Sequence, residues 1–131
     1  YMGAIASGGT TAVPRLVESI DTGTFMPGGV FHTKQTDELV TAESAQKLRE
    51  MMRNNVIETY GKERFPANTC AKSGTAEVGG DQAPNAWFAG FINDDAHPYA
   101  FIVLVENGGG GARVAGTVAG EVLNAIVEKM G

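Results

Sequence analysis

Apolar residues recur at steps of three and four along residues 41–60, which is the spacing of one face of an α-helix. Thr41 can cap the N-terminus of this helix, Glu43 is favourable in its first turn, and Gly61 can end it. A second periodic stretch, residues 114–130, predicts a closing helix. The first stripe consists of Ala45, Leu48, Met52 and Val56, and the second of Val118, Val122, Ile126 and Met130, flanked by Ala119, Leu123 and Val127.

Three stretches rich in β-branched and aromatic residues predict strands, namely residues 69–78, 85–93 and 98–106. Short, turn-like connectors at residues 79–84 and 94–97 join them, so we expect the strands to pair as antiparallel neighbours. The third strand is apolar at consecutive positions, which predicts that both of its faces are covered. Helices should therefore pack on both sides of the sheet.

The rest of the chain predicts shorter or irregular structure. Residues 1–7 are typical of the last turns of a helix that stops at two glycines. Residues 14–20 predict an edge strand with a proline at its first position. Residues 21–39 predict a loop with a short strand near residues 29–31, and the four glycines of residues 108–111 predict a mobile connector.

The composition is that of one globular domain. The chain has 131 residues, of which 43% are apolar and 19% charged, so a buried core can form. Combined with the order of the predicted elements, this indicates an α/β (α+β) fold. We expect an antiparallel sheet of about three to five strands, covered by helices on both faces.

The negative net charge and the scarcity of metal-binding residues argue against several functions. Ten basic against fifteen acidic residues give a net charge of −5, and no basic stripe is present, so nucleic-acid binding is disfavoured. The chain has one cysteine, Cys70, and its two histidines, His32 and His97, lack metal-ligand spacing. We therefore expect no metal and no cofactor.

One short motif, Lys72-Ser73-Gly74-Thr75, carries chemistry and lies in the first predicted strand. A glycine lets a substrate approach the strand backbone closely. The serine hydroxyl and the lysine ammonium can meet a carboxylate, and a backbone N–H just beyond the glycine can point at a developing oxyanion. By itself the motif is weak, because a solvated lysine beside a glycine bend also occurs by chance.

The surroundings of this Lys-Ser-Gly-Thr motif are more specific. Ala76-Glu77 follow directly, and residues 87–91, Trp-Phe-Ala-Gly-Phe, lie in the next predicted strand. A Lys-Ser/Thr-Gly triplet on a strand is a signature of penicillin-binding proteins and serine β-lactamases. Over essentially its whole length, residues 1–131, the chain resembles the C-terminal segment of a penicillin-binding transpeptidase domain. Ala76-Glu77 is more similar to a transpeptidase than to a class D β-lactamase.

The resemblance implies a role for each residue of the motif. Lys72, which would help proton transfer, and Thr75, whose N–H would be an oxyanion donor, are the expected catalytic residues. Ser73, Gly74 and Thr75 would bind the substrate, with the two hydroxyls holding a carboxylate of a stem peptide or of a β-lactam. The parent protein would be a serine-type peptidoglycan D,D-transpeptidase, anchored at the extracytoplasmic face of a bacterial membrane.

The nucleophile of that family lies in a Ser-x-x-Lys box well upstream of the strand. The one match here, Ser44-Ala45-Gln46-Lys47, lies in the predicted long helix with only 24 residues between it and Lys72. The family's Ser-x-Asn box does not occur in the sequence. We interpret the match as a surface serine and lysine, and we expect the chain alone to be inactive without the remainder of the domain.

Two other interpretations stay open at this point. A β-lactam-sensing receptor domain would share the fold and the motif but would signal instead of cross-linking. A non-enzymatic α/β domain would carry the triplet by chance, with Lys72 and Ser73 pointing away from any groove. Because a truncated sheet exposes an edge, we also expect association with a partner or with a second copy.

Overall fold

The structure is a computed structural model that describes residues 1–20, 23, 29 and 31–130. It contains three α-helices and three strands in these residues. In chain order they are α1 (Met2–Ala6), α2 (Ala42–Asn54), a π-helix (Asn55–Gly61), a 3-10 turn (Lys62–Arg64), β1 (Thr69–Ala76), β2 (Asn85–Ile92), β3 (Ala100–Val105) and α3 (Ala115–Met130).

The three strands form one antiparallel sheet in the order β1-β2-β3, which confirms the predicted strands and their pairing. β2 is the central strand, and β1 and β3 are the edges. Ser73 of β1 lies opposite Phe88 of β2, and Phe88 lies opposite Val103 of β3. Phe88 is therefore at the centre of one face of the sheet.

That face packs against α3, the π-helix and Phe65. The buried ring of Phe88 lies edge-to-face against Tyr60, with ring centroids 5.1 Å apart. It also stacks with Phe65 at 5.4 Å and with Phe101 at 6.2 Å. Burying one such aromatic side chain contributes about 1.5–3 kcal/mol to folding, so this cluster is the main core of the described chain.

The opposite face is covered by α1 and α2 over β1 and β2. Its smaller core consists of Ile5, Met52, Cys70 and Phe91. Helices therefore lie on both faces of the sheet, as the strand pattern predicts. The prediction that both faces of β3 are covered is wrong, because α1 is only five residues long and α2 lies against β1. On this face Ala100, Ile102 and Leu104 are exposed, and 66% of Ile102 is accessible.

The long helix forms as predicted at its N-terminus and along its buried stripe. The hydroxyl of Thr41 accepts a hydrogen bond from the backbone N–H of Ser44 at 3.2 Å, which caps α2. Ala45, Met52 and Val56 are buried. The helix then continues as the π-helix to Gly61, whose φ of +87° ends it. Only glycine adopts such a φ without strain.

The closing helix α3 is confirmed, but its predicted valine stripe is wrong. Val118, Val122 and Met130 are exposed, whereas Ala119 and Leu123 are buried. The reason is close approach: a Cβ on Gly116 would lie 3.4 Å from the ring of Phe88, and one on Gly120 would lie 2.6 Å from the carbonyl oxygen of Arg64. The helix packs through its small residues because they let its backbone reach the core.

The predicted edge strand over residues 14–20 does not form. Residues 11–20 and 31–36 instead make an exposed arm, in which Ala12 and Gln35 form an isolated bridge. Within it the N–H of Phe31 donates to the carbonyl oxygen of Glu18 at 3.0 Å. Two paired extended segments without a third strand gain little stability. Residues 21, 22, 24–28 and 30 of the predicted loop, including the middle of its short strand, lie outside the described residues.

Substitution of Gly90 by alanine is expected to destabilise the sheet. Its new Cβ would lie 2.1 Å from the carbonyl oxygen of Cys70 and 2.9 Å from the Cα of Ala71, both backbone atoms of β1. We expect a loss of about 3 kcal/mol in the free energy of unfolding, measured by urea denaturation. Gly110→Ala is the control, since its nearest neighbour is 4.0 Å away. Equal stability of the two variants would contradict the packing of β1 against β2.

Candidate active-site strand

The Lys-Ser-Gly-Thr motif lies on β1, an edge strand, and its side chains alternate between the two faces of the sheet. Ser73 and Thr75 share the face of Phe88, while Lys72 shares the other face with Cys70. Lys72 is exposed, and its Nζ donates to the carbonyl oxygen of Ser73 at 2.5 Å. The structure therefore brings the four predicted residues together along one open edge.

The first half of this edge is capped by side chains from α2 and the π-helix. Arg53 donates to the carbonyl oxygen of Thr69 at 3.1 Å, and Asn55 donates to that of Ala71 at 3.2 Å. In an antiparallel pair, every second residue of an edge strand turns its peptide groups away from the neighbouring strand. The outward residues of β1 are thus Thr69, Ala71 and, by the same alternation, Ser73 and Thr75.

Tyr60 caps the third of these outward positions. The N–H of Ser73 donates to the phenol oxygen of Tyr60 at 3.0 Å, and the same oxygen lies 3.0 Å from Ser73 Oγ. The next outward N–H belongs to Thr75, and within the described chain no side chain accepts a hydrogen bond from it. This N–H is free to donate to an anionic oxygen at the edge, which is the chemistry predicted for Thr75.

Two residues that pattern analysis missed hold the motif. Tyr60 was identified only as the end of a helix, although it lies four residues after Val56 on the buried stripe. Gly111, predicted to lie in a mobile connector, is buried, and its N–H donates to Thr75 Oγ1 at 3.4 Å. A Cβ there would lie 2.2 Å from the carbonyl oxygen of Gly74. Only a glycine fits this close approach.

Two cavities of the described chain lie elsewhere. One, of about 730 Å³, is lined by residues that include Arg49, Arg53 and Cys70, and the other, of about 640 Å³, lies between α1 and the turn before β3. Neither is lined by a residue of the motif. Lys72 lies at an open surface, which is the position expected both for a groove completed by a second wall and for the non-enzymatic alternative.

Cys70 is a buried thiol on the same face of β1 as Lys72. Only 2% of it is exposed. Burial raises the pKa of the thiol above its ordinary value, although the guanidinium groups of Arg53 and Arg49 partly oppose this. The protonated thiol is a poor nucleophile, so Cys70 is packed as an apolar group.

Ser44 and Lys47, the serine and the lysine of the single Ser-x-x-Lys match, make local contacts at the surface of α2. Ser44 contributes its N–H to the Thr41 cap, and its Oγ lies 3.0 Å from the Thr41 hydroxyl. The Nζ of Lys47 pairs with Glu43 at 2.6 Å, and both side chains are largely exposed. This is the geometry of a helix cap and of an i, i+4 ion pair.

Comparison with known proteins finds relatives along nearly the whole chain. A family model described as "Penicillin binding protein transpeptidase domain" matches residues 1–128. The chain is 32% identical over 129 residues to peptidoglycan D,D-transpeptidase PbpA of Mycobacterium tuberculosis, covering 95% of this chain and 26% of PbpA. It therefore spans about a quarter of the length of that relative.

Solved structures of M. tuberculosis penicillin-binding protein A have the same fold. Its imipenem acyl-enzyme complex matches with a TM-score of 0.77 and 30% identity, over 95% of this chain and 28% of that one. Its penicillin G acyl-enzyme complex matches with a TM-score of 0.71 and 32% identity, over 95% of this chain and 29% of that one. The alternative of an unrelated domain with a chance triplet does not account for a match over residues 1–128.

The burial of Cys70 predicts slow chemical labelling. Because burial raises the pKa of the thiol above its ordinary value, the folded protein holds less thiolate at pH 8 than the unfolded chain does. We expect a thiol reagent at pH 8 to react at least about tenfold more slowly with the folded chain than with the chain in urea. Equal rates in the two conditions would show that the second core is open.

Proposed function

Because this chain belongs to the family of penicillin-binding protein transpeptidase domains, we propose that residues 1–131 are the C-terminal segment of the catalytic domain of a peptidoglycan D,D-transpeptidase. The observation that carries the proposal is the motif at the open edge of β1, where the N–H of Thr75 turns outward beyond the last capping side chain. A segment of this kind supplies the substrate-binding and oxyanion strand. The nucleophile comes from a different part of the complete protein.

The proposed reaction has two steps. The nucleophilic serine attacks the carbonyl carbon between the two D-alanines of a stem peptide, its proton passes to the departing amine, and D-alanine leaves as an acyl-serine ester forms. An amine of a second stem peptide then attacks the ester carbonyl and forms an amide bond as the bond to the serine oxygen breaks. The proton of the amine passes to that oxygen, which restores the serine hydroxyl. A β-lactam would stop at the first step, in keeping with the acyl-enzyme complexes of M. tuberculosis penicillin-binding protein A.

The motif residues have distinct roles in this proposal. The ammonium of Lys72 assists proton transfer to and from the serine, and the N–H of Thr75 donates to the oxyanion of the tetrahedral intermediate. The hydroxyls of Ser73 and Thr75 hold the carboxylate of the ligand. Gly74 presents no side chain, so the scissile group can lie close to the strand.

The proposed site of action is the extracytoplasmic face of a bacterial membrane, where peptidoglycan is cross-linked. None of the helices in the described ranges is long and apolar enough to cross a bilayer. The proposed partners are stem peptides, β-lactams and the remainder of the transpeptidase domain. The exposed face of β3 is the surface on which that remainder, or a second copy of the chain, would pack.

Intact-mass spectrometry after incubation with a penicillin tests the proposed function. The chain alone is expected to keep its mass, because it lacks the nucleophile. The complete protein that contains it is expected to gain one penicillin. In that protein, Lys72→Ala should slow acylation by about 10²–10⁴-fold.

Lys62→Ala is the matched control, since Lys62 is an exposed lysine of the 3-10 turn. It should leave acylation unchanged. A penicillin adduct on Ser44 of the chain alone would contradict the assignment of Ser44-Ala45-Gln46-Lys47 to the surface. Normal acylation of Lys72→Ala would remove Lys72 from the mechanism.

The exposed face of β3 predicts self-association of the chain alone. Ile102→Lys places a charge where 66% of the side chain is accessible, so it should lower the average mass in light scattering at high concentration toward that of the monomer. Ile57→Lys, on the π-helix and 38% exposed, is the control and should not. A strictly monomeric unaltered chain would contradict this surface.

A further inference from the structure

The hydroxyl of Tyr60 makes two contacts with one residue of the motif. Its ring is buried against Phe88, and only 7% of the residue is exposed. Its oxygen lies 3.0 Å from the backbone N of Ser73 and 3.0 Å from Ser73 Oγ. The packing of the ring therefore fixes the phenol group on the serine of the motif.

The direction of the hydrogen bond between the two hydroxyls follows from their donors and acceptors. The backbone N–H of Ser73 can only donate, so it occupies one lone pair of the Tyr60 oxygen. The phenol O–H is itself a donor in a buried position and needs an acceptor. Among the described residues, Ser73 Oγ is the one acceptor within hydrogen-bond distance of it. Tyr60 thus donates to Ser73 Oγ.

This direction determines what Ser73 can do. With its oxygen accepting from Tyr60, the hydroxyl proton of Ser73 points away from the phenol. Ser73 is only half-buried, so that proton can reach a ligand at the open edge. A hydroxyl held as a donor suits an anionic acceptor such as a carboxylate, and hydrogen bonds to a charged group are the stronger kind.

We propose that Tyr60 is a positioning residue, which orients the hydroxyl of Ser73 as the hydrogen-bond donor for the carboxylate of the ligand. The proposal rests on the function proposed above and adds a residue from the π-helix to it. Tyr60 does not touch the ligand. It acts through Ser73. Because its oxygen also accepts a hydrogen bond from the N–H of Ser73, it fixes the position of the β1 edge as well.

The test is acylation of the complete protein by penicillin G and by its methyl ester, which lacks the anionic carboxylate. Tyr60→Phe keeps the ring and removes the hydroxyl. We expect it to slow acylation by penicillin G about tenfold and to leave acylation by the ester nearly unchanged. The ratio of the two rates does not depend on the fraction of protein that is folded, so partial unfolding of the variant cannot mimic this result.

A double-mutant cycle shows whether the effect passes through Ser73. In a Ser73→Ala background, Tyr60→Phe should cause no further loss, whereas in a Ser73→Thr background, which keeps a hydroxyl, the tenfold effect should persist. Tyr99→Phe is the matched control, because the hydroxyl of Tyr99 contacts the sulfur of Met130 instead. It should change neither rate.

Other results would overturn the proposal. Equal slowing of penicillin G and of its ester by Tyr60→Phe, or the same slowing in the Ser73→Ala background, would show that Tyr60 has only a structural role. An unchanged ratio of the two rates in Tyr60→Phe would also refute it. Failure of the unaltered protein to react with either compound is a different result, which refutes the proposed function and this inference with it.

Discussion

The burial of Phe88 is the contact on which β1, the strand that carries the Lys-Ser-Gly-Thr motif, depends. Its ring lies between α3 and the sheet, against Tyr60, Phe65 and Phe101. Ser73 is its partner on β1, so the same side chain supports both the strand and the tyrosine that holds it. Interiors are close-packed, and a change of even one methylene in such a place is felt by its neighbours. The packing of the core therefore also sets the geometry of the candidate site.

The edge of β1 is covered by side chains along its first part and open along its last part. Arg53, Asn55 and Tyr60 occupy three successive outward positions, and an edge that is covered in this way cannot pair with another chain. Beyond Ser73 the capping stops, and the backbone of Thr75 stays available. An open edge is a hazard in most proteins, and here it is restricted to a short stretch of β1.

The sequence predicted the elements well because its patterns are strong. The three strands and their order were identified to within about two residues, and Thr41 was correctly placed as the cap of α2. The edge strand expected over residues 14–20 does not form, and most of the other errors concern which face is buried. Val118 and Val122 were expected inside because hydrophobicity is a local property, whereas the packing of α3 depends on the room that Gly116 and Gly120 leave for distant residues.

The sequence alone predicted the motif of the candidate site but not the residues that hold the motif in place. The residues of the motif are adjacent in sequence, so their proximity needs no tertiary information. The contact between Tyr60 and Ser73 joins two elements and depends on how the helix approaches the strand, which periodicity does not report. The double burial expected for β3 failed for the same reason, since it requires knowledge of where α1 and α2 end.

The π-helix between Asn55 and Gly61 decides which side chains of this segment can reach the same strand. A π-turn holds one residue more than an α-turn, and this local widening lies between Asn55 and Tyr60, two side chains that both reach β1. In an ordinary α-helix each residue turns the chain by about 100°, so two positions five residues apart lie about 140° apart around the axis. If this segment kept its length but adopted α-helical geometry, the phenol would turn away from Ser73 while Asn55 stayed at Ala71. The width of this turn thus sets the register in which the helix meets the strand.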